Sequence, residues 1–326
     1  MVRYPSSVPL DWDLFRELYS QSASPIWQAE SHPNVQALAR KIGVTPNTVW
    51  RRLGEWKRLG FLRGYVYIPN PRLLGVGMEV SDVVLEDPAL RQKFLDRLEF
   101  VDGVFIAEVE LGTPVSIMTI ADSPPSRTRR QAMLRTFPGV ADVKPRFQVW
   151  LPTPARGLRL NDYRLIAALR GSPDSAFARL AEKLGISART FWRRFRQLKA
   201  EQSMLTCRIE DFSRYPGTVV VVSADIDPSV DSRGVASRIS AASPEMLELP
   251  SFSRPPYASH KRPNYMIEVR NPSQVEEIQA EISQISGVVS IANRFPGFER
   301  IYGNWFDDRI HQILNSPLPE THRASR

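Results

Sequence analysis

Cysteine occurs once in the 326 residues, at Cys207. One thiol cannot close an internal disulfide or build a thiolate zinc site alone, so a disulfide scaffold and a zinc finger are both excluded. No apolar run approaches the roughly 18 residues that a membrane-crossing helix requires. The opening stretch from Met1 to Asp13 carries two acids and no apolar segment, which is not the pattern of a signal peptide. The four histidines, His32, His260, His311 and His322, are too scattered to argue for a metal site. No phosphate-cradling Gly-rich loop, dinucleotide fingerprint, Gly-x-Ser-x-Gly elbow or His-Glu-x-x-His pair is present. The sequence therefore points to a non-enzyme, with no catalytic residue, no metal and no cofactor. Its expected place is a reducing compartment, the cytoplasm, with no membrane partner.

What the chain has is positive charge. Lys and Arg number 43 against 35 Asp and Glu, a formal net charge of +8, with a pI near 9.8. Such a balance favours anionic partners, nucleic acid first, and says nothing about fold. At 42% apolar residues the chain can bury ordinary cores. Its length suits several domains.

The chain also repeats itself. Residues 35–62 align without a gap to residues 177–204, 142 positions later, with nine identities: Leu38/Leu180, Ala39/Ala181, Lys41/Lys183, Gly43/Gly185, Thr48/Thr190, Trp50/Trp192, Arg51/Arg193, Arg52/Arg194 and Lys57/Lys199. A second echo joins Phe137, Gly139 and Val140 to Ile285, Gly287 and Val288 at an offset of 148. Two ordered echoes at nearly one offset read as a tandem duplication of a unit of about 150 residues.

Each unit opens with helices. Asp11 and Asp162 precede apolar runs and read as N-caps. A second helix over residues 35–42 stops at Gly43, and Thr45 with Pro46 starts a third. Ser187 plays the capping part in the second unit. The third helix buries Val49, Leu53 and Trp56 at i, i+4, i+7. Its opposite face carries Asn47, Thr48, Trp50, Arg51 and Arg52, matched by Arg189, Thr190, Trp192, Arg193 and Arg194. A helix, a Gly turn and a helix with a cationic, hydrogen-bonding outer face form the helix-turn-helix design, in which the last helix enters the major groove of double-stranded DNA. Residues 61–68 then read as a short hairpin, a wing, with Arg63 near its tip. The corresponding residues 204–212 carry Glu210 and Asp211, which suit a phosphate backbone less well. The expected DNA-binding set is Thr45, Asn47, Thr48, Trp50, Arg51, Arg52, Arg63, Ser187, Arg189, Thr190, Trp192, Arg193 and Arg194.

The remainder of each unit alternates as βαββαβ, the ferredoxin-like order. The expected class is α+β, two winged helix-turn-helix domains each followed by a ferredoxin-like domain. The boundaries fall at 1–75, 76–150, a Pro/Gly-rich linker 151–159, then 160–215, 216–300, and a C-terminal helix and tail at 301–326. The second unit's middle connection, from Pro250 to Asn264, is long and holds Arg254, His260, Lys261 and Arg262.

Leu38-Ala39-x-x-Ile42-Gly43-Val44-Thr45-x-x-Thr48-Val49-x-x-Arg52-Leu53-x-x-Trp56-x-x-x-Gly60-Phe61-Leu62, followed by βαββαβ, resembles the Lrp/AsnC, or feast/famine, transcriptional regulators. The resemblance implies DNA binding, dimerisation through the ferredoxin-like domains and a small-molecule effector there. It departs from the usual member in being doubled within one chain. The family's Gly-acid-Tyr-acid-Tyr effector run is also absent at residues 112–116 and 262–266. A doubled chain can act as its own pseudo-dimer on an asymmetric site, one helix reading through Asn47 and the other through Arg189, with homo-oligomers of the whole chain still open. The alternative is a tetrapyrrole enzyme. Siroheme decarboxylases resemble the same family and occur as fused double units, and Arg254, Tyr257, His260, Lys261, Arg262 and Tyr265 are the candidates for an anionic tetrapyrrole substrate.

Overall fold

A computed structural model of the chain describes residues 9–20, 27, 29, 31, 33–110, 114–173, 175–249 and 262–316. The first unit runs α1 (Pro9–Ser20), α2 (Val35–Ile42), α3 (Pro46–Leu59), β1 (Leu62–Pro69), β2 (Gly77–Leu85), α4 (Arg91–Leu98), β3 (Val104–Glu110), β4 (Pro114–Ala121), α5 (Pro124–Arg135) and β5 (Val140–Gln148). The second runs α6 (Leu160–Gly171), α7 (Phe177–Lys183), α8 (Ala188–Ala200), β6 (Met204–Glu210), β7 (Thr218–Ile226), α9 (Ser232–Ala242), β8 (Leu247–Leu249), β9 (Asn264–Val269), α10 (Pro272–Ser283) and β10 (Val288–Arg294), then adds β11 (Pro296–Ile301) and α11 (Asn304–Asn315). Both units therefore hold a winged helix-turn-helix and a ferredoxin-like sheet. Residues 111–113, the loop residues 250–261 and the tail beyond Ser316 lie outside the described residues.

Local chemistry sets the helix ends. Thr45 accepts a hydrogen bond from the Thr48 N–H at 3.2 Å, and Ser187 accepts one from the Thr190 N–H at 3.1 Å. Each satisfies one of the free N–H groups that open a helix. Gly43 closes α2 at φ +73°, a left-handed conformation that costs a glycine little. Asp11 and Asp162 are not the caps expected of them, because both helices begin two residues earlier. Their carboxylates turn inward instead, toward the third helix of their own unit. Asp162 is fully buried and is held by both Arg194 and Arg156. Asp11 meets Arg52 at 3.7 Å, with the Trp56 side chain also beside it.

The strand after the third helix differs from expectation in an informative way. Neither β1 nor β6 folds into a hairpin. Each is a single strand, and the two pair with one another, antiparallel, as a two-stranded ribbon. The partner strand of each wing is thus supplied by the other unit. Gly64 faces Ile209 and Tyr67 faces Thr206. At the 142-residue offset Thr206 corresponds to Gly64 and Ile209 to Tyr67, so the pairing maps onto itself when the units are exchanged. That is the register of an isologous dimer contact, made here within one chain.

Successive ribbon residues face opposite ways. Val66, Ile68, Leu205 and Cys207 pack on the first ferredoxin-like sheet with Met78, Phe105 and Met118. Tyr65, Tyr67 and Met204 pack with the second unit's helices through Leu165, Ile166 and Phe195. Burial pushes the Cys207 thiol up, so it fills space in a core and is not poised for nucleophilic chemistry. Farther along the helix-facing side, Arg208 lies over the Tyr19 ring of α1 at 4.5 Å and pairs with Glu210 at 3.4 Å. The Tyr19 hydroxyl donates to Glu210 at 2.9 Å. The acid read as unfit for a wing is a buried partner of the first unit's opening helix.

The sheets have the strand orders β10-β7-β9-β8 and β11-β3-β4-β2-β5. The strands β10-β7-β9-β8 of the second unit and β3-β4-β2-β5 of the first both follow the ferredoxin-like order. The extra edge strand β11 is taken from the far end of the chain. It lies antiparallel on β3, and Tyr302 just beyond it donates its hydroxyl to the Leu95 carbonyl at 2.8 Å. A domain boundary at residue 300 does not describe this strand, since it closes the sheet of the other unit. The free face of the second sheet, through Val219, Val221 and Met266, meets Trp12, Phe15 and Phe61 of the first helix-turn-helix.

The two inward aspartates differ in their energetics. Burial alone would raise the Asp162 carboxyl, but hydrogen bonds from Arg194, the Arg159 N–H and Arg156 outweigh it and hold it below the usual range. Burial raises Asp11 above that range, and the more distant Arg52 does not offset it. A depressed carboxyl stabilises the fold above the ordinary aspartate pKa and ceases to as pH falls through its folded value. A raised one favours the fold only when protonated. Asp162→Ala is therefore expected to cost about 2–3 kcal/mol at neutral pH, below the range for a fully buried pair because its arginines reach solvent. The loss should shrink in acid. Asp11→Ala should cost less than about 1 kcal/mol. Urea unfolding midpoints of both variants at neutral and acid pH measure the difference.

Candidate nucleic-acid interface

The third helix of each unit is held against its bundle by one apolar face, Val49, Leu53 and Trp56 in α3 and Phe191, Phe195 and Leu198 in α8. The opposite faces are left to solvent. On α3 these are Asn47, Trp50, Arg51, Gly54 and Arg58, and on α8 they are Arg189, Arg193 and Arg196. Arg51, Arg189 and Arg193 form no ion pair or hydrogen bond with any described residue. Arg58 was not singled out in the sequence, although its spacing of seven from Arg51 puts both on one helix face.

Six other members of the expected set are committed inward or along the helix. Thr45 and Thr48 hydrogen-bond one another at 2.9 Å, as Ser187 and Thr190 do at 3.0 Å, in addition to capping. Their hydroxyls are exposed cap groups first. Arg52 is turned to Asp11 and donates to Glu55 at 2.8 Å. Arg194 is turned to Asp162. These two arginines occupy one equivalent position and tie the third helix to the first, so the physical reason for keeping them is within the bundle. Arg63 is on no hairpin tip. It donates to the Glu299 carbonyl at 3.2 Å and lines a shallow cleft with Gly60, Asp211, Ser213, Arg214 and Phe298.

The two tryptophans do not occupy equivalent surroundings. Trp50 is 61% exposed, and Trp192 is half-buried. The Trp192 ring packs on Phe177 at 4.6 Å and Phe195 at 5.9 Å between centroids, and the Arg196 guanidinium lies over it at 5.2 Å. The first unit has Val35, Leu53 and Gly54 at those three positions. With no ring beneath and no guanidinium above, Trp50 projects into solvent.

Comparison with known proteins bears on this geometry. A winged helix-turn-helix DNA-binding family model matches residues 158–202, the second unit's bundle. The solved structure of the siroheme decarboxylase NirDL is similar at a TM-score of 0.50 with 14% identity, covering 93% of this chain and 100% of that one. The same enzyme in complex with an iron-uroporphyrin III analogue matches at 0.49 and 14%, over 86% and 92%. AsnC of Escherichia coli matches at 0.30 and 20%, over 46% of this chain and 97% of that one. No curated protein matches in sequence.

One expectation is overturned here. The sequence pointed to a non-enzyme, yet an enzyme carries this fold over the whole of its own chain, so the fold gives no ground for excluding catalysis. Of the residues named for a tetrapyrrole, Arg254, Tyr257, His260 and Lys261 lie outside the described residues. Arg262 pairs with Asp225 at 3.3 Å. Tyr265 is buried in the second sheet's core, where its hydroxyl donates to the Ala236 carbonyl at 3.1 Å and burial pushes it up to about 12. Among the described residues no helix is long and apolar enough to cross a membrane.

The unlike tryptophans make a stability prediction. Trp192→Ala removes a half-buried ring and is expected to cost about 1–2 kcal/mol, below the roughly 3–5 kcal/mol of a fully buried one. Trp50→Ala should stay within about 0.5 kcal/mol, as surface substitutions do. Chemical denaturation of both variants reads the contrast.

Proposed function

We propose that this protein is a DNA-binding transcriptional regulator whose two helix-turn-helix units act as a pseudo-dimer on one duplex. The observation that carries this reading is the pair of outward faces on α3 and α8, each with arginines left without partners among the described residues. A solvated bundle gains nothing in stability from such groups, whereas duplex DNA presents phosphates and guanine edges to them. The symmetric ribbon supports the same conclusion. A strand of eight residues spans roughly 25 Å, and α3 and α8 feed into its opposite ends. That separation is on the scale of the roughly 34 Å between half-sites one helical turn apart. The unlike outer faces favour an asymmetric site, and the ferredoxin-like sheets are where a small-molecule effector would be sought.

Binding should be salt-dependent. Arg51→Ala or Arg193→Ala should lower the slope of log K against log salt by about one if the residue meets a phosphate, or cost about 1–3 kcal/mol at a single base position if it meets a base. Titration of selected duplexes at several salt concentrations measures both, and an unchanged affinity in both variants would remove these helices from the interface.

A second reading, a tetrapyrrole decarboxylase, is favoured by the likeness over the full length to the siroheme decarboxylase fold. It requires residues of the 250–261 segment to complete a site. Adding an iron uroporphyrin to the purified chain separates the two: a perturbed Soret band with loss of carbon dioxide supports the enzyme, and an unperturbed spectrum together with tight duplex binding supports the regulator.

A further inference from the structure

Two positions distinguish the outer faces of α3 and α8, and both lie in the first half of the helix, the part a recognition helix presents to base edges. At the second helical residue the first unit has Asn47 and the second has Arg189, both exposed. Three residues on, Trp50 projects while Trp192 is folded down onto Phe177 and beneath Arg196. These groups have different complements in the major groove. An asparagine amide matches the N6 and N7 edge of adenine, and a guanidinium matches O6 and N7 of guanine. The indole ring is apolar, and the apolar group that the major groove offers is the thymine C5-methyl.

We infer that the two halves of the DNA site differ in kind: the first unit reads A·T pairs through Asn47 and the thymine-methyl contact of Trp50, and the second reads a guanine through Arg189 with no contribution from Trp192. This rests on the DNA-binding reading above and assigns its specificity. The cause of the asymmetry is in the bundle core. Phe177 and Phe195 give Trp192 a platform that Val35 and Leu53 do not give Trp50, and Arg196 covers a ring where Gly54 leaves one bare. The residues beneath and beside each ring thus decide which tryptophan is available to DNA.

Selection of the full-length chain against random duplexes tests the inference. The wild-type protein should enrich a site with one half specified by A·T pairs and the other by guanine. Asn47→Arg should change adenine to guanine in the A·T half alone and bring the site closer to a palindrome. Arg189→Asn should do the converse in the other half. Replacing thymine by deoxyuridine in the A·T half deletes the methyl group. It should weaken wild-type binding several-fold and leave Trp50→Ala, already about tenfold weaker, unaffected. All three substitutions fall on exposed positions, and circular dichroism checks that each variant is folded. Two like half-sites in the wild type, or an Asn47→Arg site unchanged in its A·T half, would overturn this inference while leaving DNA binding intact. Failure of the wild type to enrich any duplex at low salt would instead sink the DNA-binding reading.

Discussion

The antiparallel ladder between β1 and β6 joins segments 142 residues apart, and a hydrophobic core packs on each of its two faces. One face lies on the first ferredoxin-like sheet, and the other receives helices from both units. The exchange is reciprocal. Tyr19 of α1 rests on Arg208 of the second unit's strand, while Arg170 of α6 donates to the Tyr67 carbonyl of the first unit's strand at 3.1 Å. A register that maps onto itself under exchange of the units cannot slip by one residue without turning Tyr65 and Tyr67 toward the wrong core. The ribbon therefore fixes the relation of the two bundles through backbone pairing and side-chain alternation together.

Much of this was legible in the sequence because it is local. The Gly43 stop, the Thr45 and Ser187 caps, the Val49, Leu53 and Trp56 stripe and the order of strands and helices all follow from short-range periodicity and turn chemistry. What was missed is non-local. A strand that pairs with one 142 residues away has the same alternation as one arm of a hairpin, so the sequence reads each wing as a hairpin closed within its own unit. Glu210 looked like a surface acid because its partners, Tyr19 and Arg208, could not be located from spacing. β11 was hidden in an aromatic stretch whose edge partner lies in the other unit. In the candidate interface, Arg52 and Arg194 appeared to share the outer face, since helical spacing places them at its margin and only the position of α1 and α6 decides their direction. The unequal fates of Trp50 and Trp192 were also beyond a one-dimensional pattern. The Val35/Phe177 and Leu53/Phe195 differences were visible, but that they lie under the indole was not.

The same architecture occurs in a siroheme decarboxylase, and a fold of this kind does not select between binding a duplex and transforming a small molecule. The choice rests on side chains. Here α3 and α8 each present exposed arginines, Arg51 and Arg58 on one and Arg189 and Arg193 on the other, without partners among the described residues. Of the tetrapyrrole candidates among the described residues, Tyr265 is spent on core packing and Arg262 on Asp225.

The placement of β11 has a consequence for biosynthesis. The first ferredoxin-like sheet is made early, yet its β3 edge is covered by a strand that is made only after the sheet of the second unit. A nascent chain holding only the first unit would carry an open strand edge at β3 and an unpaired β1, both templates for wrong association. Vectorial synthesis cannot finish the first domain first. The first sheet closes only after the second unit has been made, and a stop codon anywhere before β11 leaves it unfinished.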